Sequence, residues 1–171
     1  MTDAAMRDAM PAPAFERRDD IGRLVATTWH GAGASDATGS DRWLVAVDGS
    51  ECSLRTVAMV ARWAAREQGA EVDLVHIHPW LNKEAAETEL ARRGWAATAQ
   101  ARQLFDAAAI RWHLHVVMGE AALEIAGLAG SLGSRGIAIG SHGLTAAESV
   151  LMGSVTNKVL HLAKAPVLIV R

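Results

Sequence analysis

A chain of 171 residues, half of them hydrophobic, is sized for one globular domain and is too apolar to be disordered throughout. Its formal net charge of −2 argues against a general binder of nucleic acid or of anionic membranes. One cysteine excludes an intrachain disulfide and an all-cysteine zinc site, and no apolar stretch reaches the ~20 residues that span a bilayer.

Residues 1–41 differ in composition from the rest of the chain. They are rich in Ala, Gly, Ser, Thr, Asp and Arg and contain Pro11 and Pro13, so a mostly disordered N-terminal arm is expected. Within it, residues 21–29 have the character of a short packed segment with no indicated docking place, and residues 31–40 read as a linker. Asp3, Arg7 and Asp8 interrupt any signal-peptide pattern, so cytoplasm is the expected compartment.

From residue 42 the pattern becomes regular. Trp43-Leu44-Val45-Ala46-Val47 is a continuous apolar run, as in a strand covered on both faces, and it ends in Asp48-Gly49-Ser50. Over 51–68, Leu54, Val57, Ala58, Ala61, Ala64 and Ala65 recur at helical spacing, and Gly69 is a stop signal. A strand over 72–77 closes in His78-Pro79. An alanine-rich helix is expected over 83–109, with a break near Gly94. Next come a strand over 113–117, a helix over 120–132 and a short buried strand over 136–139. After a glycine-rich loop, Val150, Leu151, Val155, Val159, Leu160 and Leu162 mark another helix, and Pro166 opens a last strand, Val167–Val170. Strand–helix alternation throughout argues for an α/β domain over 42–171, a parallel sheet with helices on both faces and right-handed crossovers.

The loop carries the chemistry. Gly140-Ser141-His142-Gly143, nine further residues and Gly153-Ser154 give the spacing G-x2-G-x9-G-S between a strand and a helix. Glycine permits positive φ and close backbone approach, and amides in such a loop or at a helix start converge on an anion. The alternative is that Gly140 and Gly143 only turn a strand into a loop. The second small pair adds a hydroxyl where a phosphate would be held from its other side.

That loop, the strand end Val45-Ala46-Val47-Asp48-Gly49-Ser50 and the closing Ala165-Pro166-Val167-Leu168-Ile169-Val170 together resemble the universal stress protein family, in its nucleotide-binding branch. The resemblance covers residues 42–171. It implies a Rossmann-like open sheet of five parallel strands in the order 3-2-1-4-5, with a ligand crevice between the first and fourth strands. Carried over by position, Asp48 faces the nucleoside, Ala46 lines the pocket, and the Ile77 backbone meets the adenine edge. Ile139 and Gly140 border the ribose, while Gly143, Gly153, Ser154 and Val155 hold phosphates. For Asp48 a turn-forming or helix-capping role stands beside the functional one.

The family further implies ATP, with Mg2+ held through the phosphates, and a homodimer through the edge strand Val167–Val170. The function expected is that of a stress-response regulator or nucleotide sensor. The alternatives are an interaction protein of the same fold without nucleotide and, least supported, a slow ATPase; no Walker lysine pattern is present. This chain departs from the family in the loop: Leu144 and Ser149 stand where arginines are common, and Glu148 adds negative charge. His142 and Lys158 are then the nearby cationic candidates.

Two pairs of histidines, His76/His78 and His113/His115, alternate on strands as metal ligands can, though buried or rim histidines are commoner. Cys52 is expected as a plain thiol at a helix start. Trp80 is a candidate to stack on a base.

Overall fold

The computed structural model describes residues 10–35, 41–144 and 152–171. Its strands are β1 (Phe15–Arg18), β2 (Leu24–His30), β3 (Trp43–Ala46), β4 (Glu71–His78), β5 (Arg111–Met118), β6 (Gly136–Gly140) and β7 (Val167–Val170). The helices are α1 (Glu51–Ala64), α2 (Lys83–Ala85), α3 (Ala91–Ala97), α4 (Ala99–Ala107), α5 (Ala121–Leu132) and α6 (Ser154–Leu162), with a π-helical turn Ala86–Leu90 between α2 and α3.

Among the described residues these strands form one sheet in the order β1-β2-β5-β4-β3-β6-β7. The expectation of a five-stranded, wholly parallel sheet is therefore corrected: the sheet has seven strands and is mixed. Five of them, β5-β4-β3-β6-β7, run parallel to their neighbours and, counted from Trp43, stand in the order 3-2-1-4-5. The other two come from the stretch expected to be mostly disordered. β2 pairs antiparallel with β5, and β1 pairs antiparallel with β2 at the sheet edge.

The physical reason is legible along β2. Val25, Thr27 and Trp29 alternate inward, while Ala26, Thr28 and His30 turn to the other face. Trp29 is only 1% exposed, stands 5.4 Å from the Trp95 ring and donates its indole N–H to the Pro11 carbonyl at 2.9 Å. Burying an indole of 150–250 Å² is worth roughly 4–6 kcal/mol before entropic costs, enough to dock a segment whose average composition is polar. The β1–β2 connection is fixed by Asp19, which accepts from the Arg23 amide and its Nε, both at 2.9 Å.

Helices cover the two faces unequally. On one, α1, α3 and α4 bury Val57, Val60, Trp95 and Phe105 against Val45, Val47, Leu74 and Leu114. On the other, α5 and α6 bury Ile125, Ala129 and Val159 against Leu44, Ala46, Val75, Ile137 and Ile139. Alternate residues of β3 thus enter opposite cores, as the continuous apolar run requires.

Ser50 caps α1, its side chain accepting from the Ser53 amide at 3.2 Å. The helix expected over 83–109 is broken at Thr98 rather than near Gly94. Thr98 turns its hydroxyl back onto the Gly94 carbonyl at 2.9 Å, which competes with helix continuation. Gly94 has another function: a Cβ there would lie 2.4 Å from the Val116 methyls, so its absence lets α3 sit down on β5.

Candidate functional site

Parallel strands that diverge to opposite sides leave a crevice beyond their carboxyl ends. In this chain β4 pairs with β3 on one side and β6 pairs with it on the other, and a cavity of about 460 Å³ opens there. All nine residues singled out from the sequence line it: Ala46, Asp48, Ile77, Ile139, Gly140, Gly143, Gly153, Ser154 and Val155. They come from four separate segments of the chain, which only the fold brings together.

Asp48 sits half-buried just past β3. One carboxylate oxygen accepts the Ser50 amide at 2.9 Å and closes the Asp-Gly-Ser turn, while Gly49 supplies the positive φ of 83°. The other accepts the Leu144 amide at 3.2 Å from the glycine loop. Asp48 is therefore a turn former and a cavity residue together; the helix cap is Ser50.

The loop glycines act through space and not through unusual dihedrals, since Gly140, Gly143 and Gly153 all lack positive φ. A Cβ on Gly143 would lie 2.7 Å from the Asp48 carboxylate, and one on Gly140 would lie 3.0 Å from Cys52 Sγ. At Gly153 a Cβ would come within 3.3 Å of the Ser141 carbonyl, the group that accepts the Gly153 amide at 2.7 Å. Gly140 and Gly153 thus pack against neighbouring backbone, and Gly143 packs against the Asp48 side chain.

Gly153 caps α6 without a side-chain bond, so the amides of the first turn remain directed outward, with the exposed Ser154 hydroxyl beside them. Helix N-termini of this kind favour anions. Thr156, which sequence reasoning did not single out, donates its hydroxyl to the Gly140 carbonyl at 2.7 Å and ties the helix start to the end of β6. Val75, Ala121 and Ile125 form apolar wall that was likewise missed. Ser53, His142 and Leu144 complete the rim. Among the described lining residues there is no Lys or Arg, and Lys158 instead reaches Glu120 at 3.4 Å. Glu148 and Ser149 lie outside the described residues.

Cys52 is buried behind the loop, its thiol donating to the Val170 carbonyl at 3.2 Å. Burial pushes this thiol up, but hydrogen bonding from the His142 backbone, from Ser141 and from Arg55 outweighs it and leaves the group below its ordinary range. Trp80 is not part of the cavity; it is exposed, with the Arg23 guanidinium 4.8 Å over its ring.

The histidine pairs do not assemble a metal centre, and among the described residues no group of three or more His, Cys, Asp or Glu is placed to hold one. His76 donates from Nδ1 to the Val47 carbonyl at 2.8 Å, and burial holds its pKa below the usual value. His113 contacts Glu71 at 3.1 Å, and His115 contacts Asp73 at 2.8 Å. No helix among the described residues is long and apolar enough to cross a membrane.

Comparison with known proteins bears on the architecture from residue 39 onward. Residues 39–171 match the family model described as the universal stress protein family. The universal stress protein YxiE of Bacillus subtilis (strain 168) is 28% identical over 151 residues, covering 77% of this chain and 99% of that protein. Among solved structures, the hypothetical protein MJ0577 superposes with a TM-score of 0.67 at 24% identity, covering 76% of this chain and 94% of its own. A universal stress protein from Archaeoglobus fulgidus in complex with dAMP gives a TM-score of 0.61 at 22% identity, with 77% and 98% covered.

Proposed function

The chain belongs to the universal stress protein family, and we propose that it binds an adenine nucleotide, with ATP as its ligand, in the cavity between β3 and β6. The observation that carries this is the convergence of all nine motif residues on one cavity of about 460 Å³. That volume suits a ligand of nucleotide size. The Archaeoglobus fulgidus relative bound to dAMP supports the choice of adenine.

In this proposal the base lies against Val75 and Ile77, whose backbone presents polar groups to its edge, with Ala46 beneath. Asp48 accepts from the sugar hydroxyls while holding the loop, and Ile139 and Gly140 border the ribose. The phosphates rest on the loop amides at Gly143 and Gly153, the first-turn amides of α6 and the Ser154 hydroxyl. The donor set fits an anion but carries no fixed cation among the described residues, so Mg2+ would supply the neutralising charge for a triphosphate. Asp48 and the chain turns it braces orient the sugar; the absence of a Cβ at Gly143 leaves room for the Asp48 carboxylate against the loop.

The resulting function is nucleotide-dependent regulation in a stress response within the cytoplasm, residues 42–171 acting as the nucleotide-binding unit. A homodimer through β7 completes it: β7 is the last strand of the sheet, and its Val167, Leu168 and Ile169 are only half-buried. The second reading, a protein of this fold that works without nucleotide, is favoured by the lack of basic lining residues. Mass spectrometry of the protein purified under native conditions separates them. Stoichiometric adenine nucleotide supports the proposal, and an empty protein that also ignores added ATP and AMP overturns it.

A further inference from the structure

A second cavity, of about 600 Å³, lies on the same sheet face as α5 but over β2 and β5, and it shares no lining residue with the first. Strand register explains it. His30, His113 and Asp73 stand in one row across β2, β5 and β4; Thr28 and His115 stand in the next; Ala26 and Val117 complete the series. β1 forms one wall through Phe15 and Arg17, and α5 forms the other through Glu124, Gly127, Leu128, Ser131 and Leu132.

The polar groups of this cavity are unequally satisfied. Arg42 is nine-tenths buried, and it donates from Nε to Asp73 at 2.9 Å and from Nη1 to Glu71 at 2.9 Å. Asp73 uses its other oxygen on His115, and Glu71 is held further by Ser35 and Arg111. Both carboxylates are therefore fully engaged. Arg42 Nη2 has no hydrogen-bond partner among the described residues, nor has Nε2 of His30, whose Nδ1 lies 2.7 Å from His113 Nδ1. The donor left open to the cavity is thus the guanidinium Nη2 of Arg42; with His113 Nε2 donating to Glu71, His30 donates from Nδ1 to His113 Nδ1 and its Nε2 is an acceptor.

Much of the rest of the lining is apolar, with Thr28 and Ser131 as polar exceptions. Phe15, Ala26, Val117 and Leu128 run away from that polar end, while Leu132 stands beside it. From His113 to Val117 the floor extends about 13 Å at the rise of a strand. Glu124 and Arg17 stand at the far end, with Glu124 about 11 Å along the helix from Ser131.

We propose that this cavity binds a small apolar monocarboxylate, its carboxylate on Arg42 Nη2 and its hydrocarbon body between Phe15 and the Leu128 side of α5. A single negative charge suits the site. The neighbouring Asp73 and Glu71 oppose a dianion such as phosphate, and a buried guanidinium recognises a planar carboxylate well. An uncharged apolar molecule would leave the Arg42 N–H groups desolvated without a partner.

Calorimetry on the full chain with octanoate as the probe tests this, with octanol and inorganic phosphate as comparison ligands. One saturable octanoate site is expected, with octanol at least tenfold weaker and phosphate without effect on it. Gly127→Leu is the blocking variant, since Gly127 lines the cavity and a Cβ there meets nothing within 4 Å. It should weaken octanoate at least tenfold without lowering the melting temperature and with ATP binding unchanged. Arg42→Gln should lose the preference of octanoate over octanol. Absence of saturation at millimolar octanoate overturns the proposal, as do equal binding of octanol and unchanged affinity in Gly127→Leu.

Discussion

The two cavities on one face of the sheet are built by opposite means. The first is made of backbone: glycines at close approach, loop amides and the start of α6, with Asp48 as its one carboxylate among the described lining residues. The second is made of side chains, a buried network of Arg42, Glu71, Asp73, His113 and His115 carried on strands. The same helix serves both, Ala121 and Ile125 toward the first and Leu128 and Ser131 toward the second. Backbone sites tolerate changes of side-chain charge but not of volume. Side-chain networks show the reverse sensitivity, and perturbing each in turn exposes the difference.

The largest effect is expected at Asp73, 1% exposed and bonded to both Arg42 and His115. Asp73→Ala leaves the buried guanidinium short of a partner, which costs about 3–5 kcal/mol, a loss that urea unfolding would read directly. Adenine nucleotide affinity of the protein that remains folded should be unchanged.

Assembly comes next. Ile169→Lys on β7 places a charge on an edge strand whose partner is expected to be its own copy, and light scattering at micromolar concentration should report monomers where the parent is dimeric. A monomeric parent would show that the β7 edge is protected in another way.

Acid separates the cavities without mutation. Burial pushes the His113 pKa below 6.5, the Glu71 contact only partly offsetting it. A group with a depressed folded pKa binds more protons when unfolded, so its stability contribution falls as pH drops below 6.5. For Glu71, burial raises the pKa, but hydrogen bonds from His113, Ser35 and Arg42 prevail and bring it to about 2. Its contribution is complete above pH 4.5 and is lost between 4.5 and about 2. Melting temperature should therefore decline in two stages on acidification, and Glu71→Gln should flatten the lower one.

The smallest effect is predicted at Trp80. Being exposed and outside the first cavity, it should change nucleotide affinity by less than about 0.5 kcal/mol on replacement with Ala. A larger change would mean that its ring reaches the base after all.

What the sequence makes legible divides along the same line. The first cavity is readable because backbone sites demand glycine at fixed spacing: Gly140, Gly143 and Gly153 are visible as letters, even though the reason is close approach and not positive φ. Its apolar wall is not, because Val75 and Ile125 look like any core residues until β4 and α5 are placed. The five parallel strands are readable from apolar runs. β2 is hidden because the average composition of residues 1–41 conceals the alternation of Val25, Thr27 and Trp29. The second cavity is invisible for a stronger reason: Asp73, His113 and His30 meet only through strand register, with Arg42 reaching Asp73 from just before β3, and no local spacing records that. The alternation of His113 and His115 is visible in the sequence, but their carboxylate partners lie on a different strand.

The phosphate end of the proposed site is probed at Gly153, where a Cβ would come within 3.3 Å of the Ser141 carbonyl and press on the glycine loop. Calorimetry of ATP, AMP and adenosine against the parent and Gly153→Val is the most direct measurement. The parent should bind ATP at one site per chain, and Gly153→Val should lose ATP by more than about 100-fold while adenosine suffers less, since a charge-assisted contact is worth about 1.5–3 kcal/mol. If Gly153→Val binds ATP as the parent does, the glycine loop is only a turn and the phosphate site is not there.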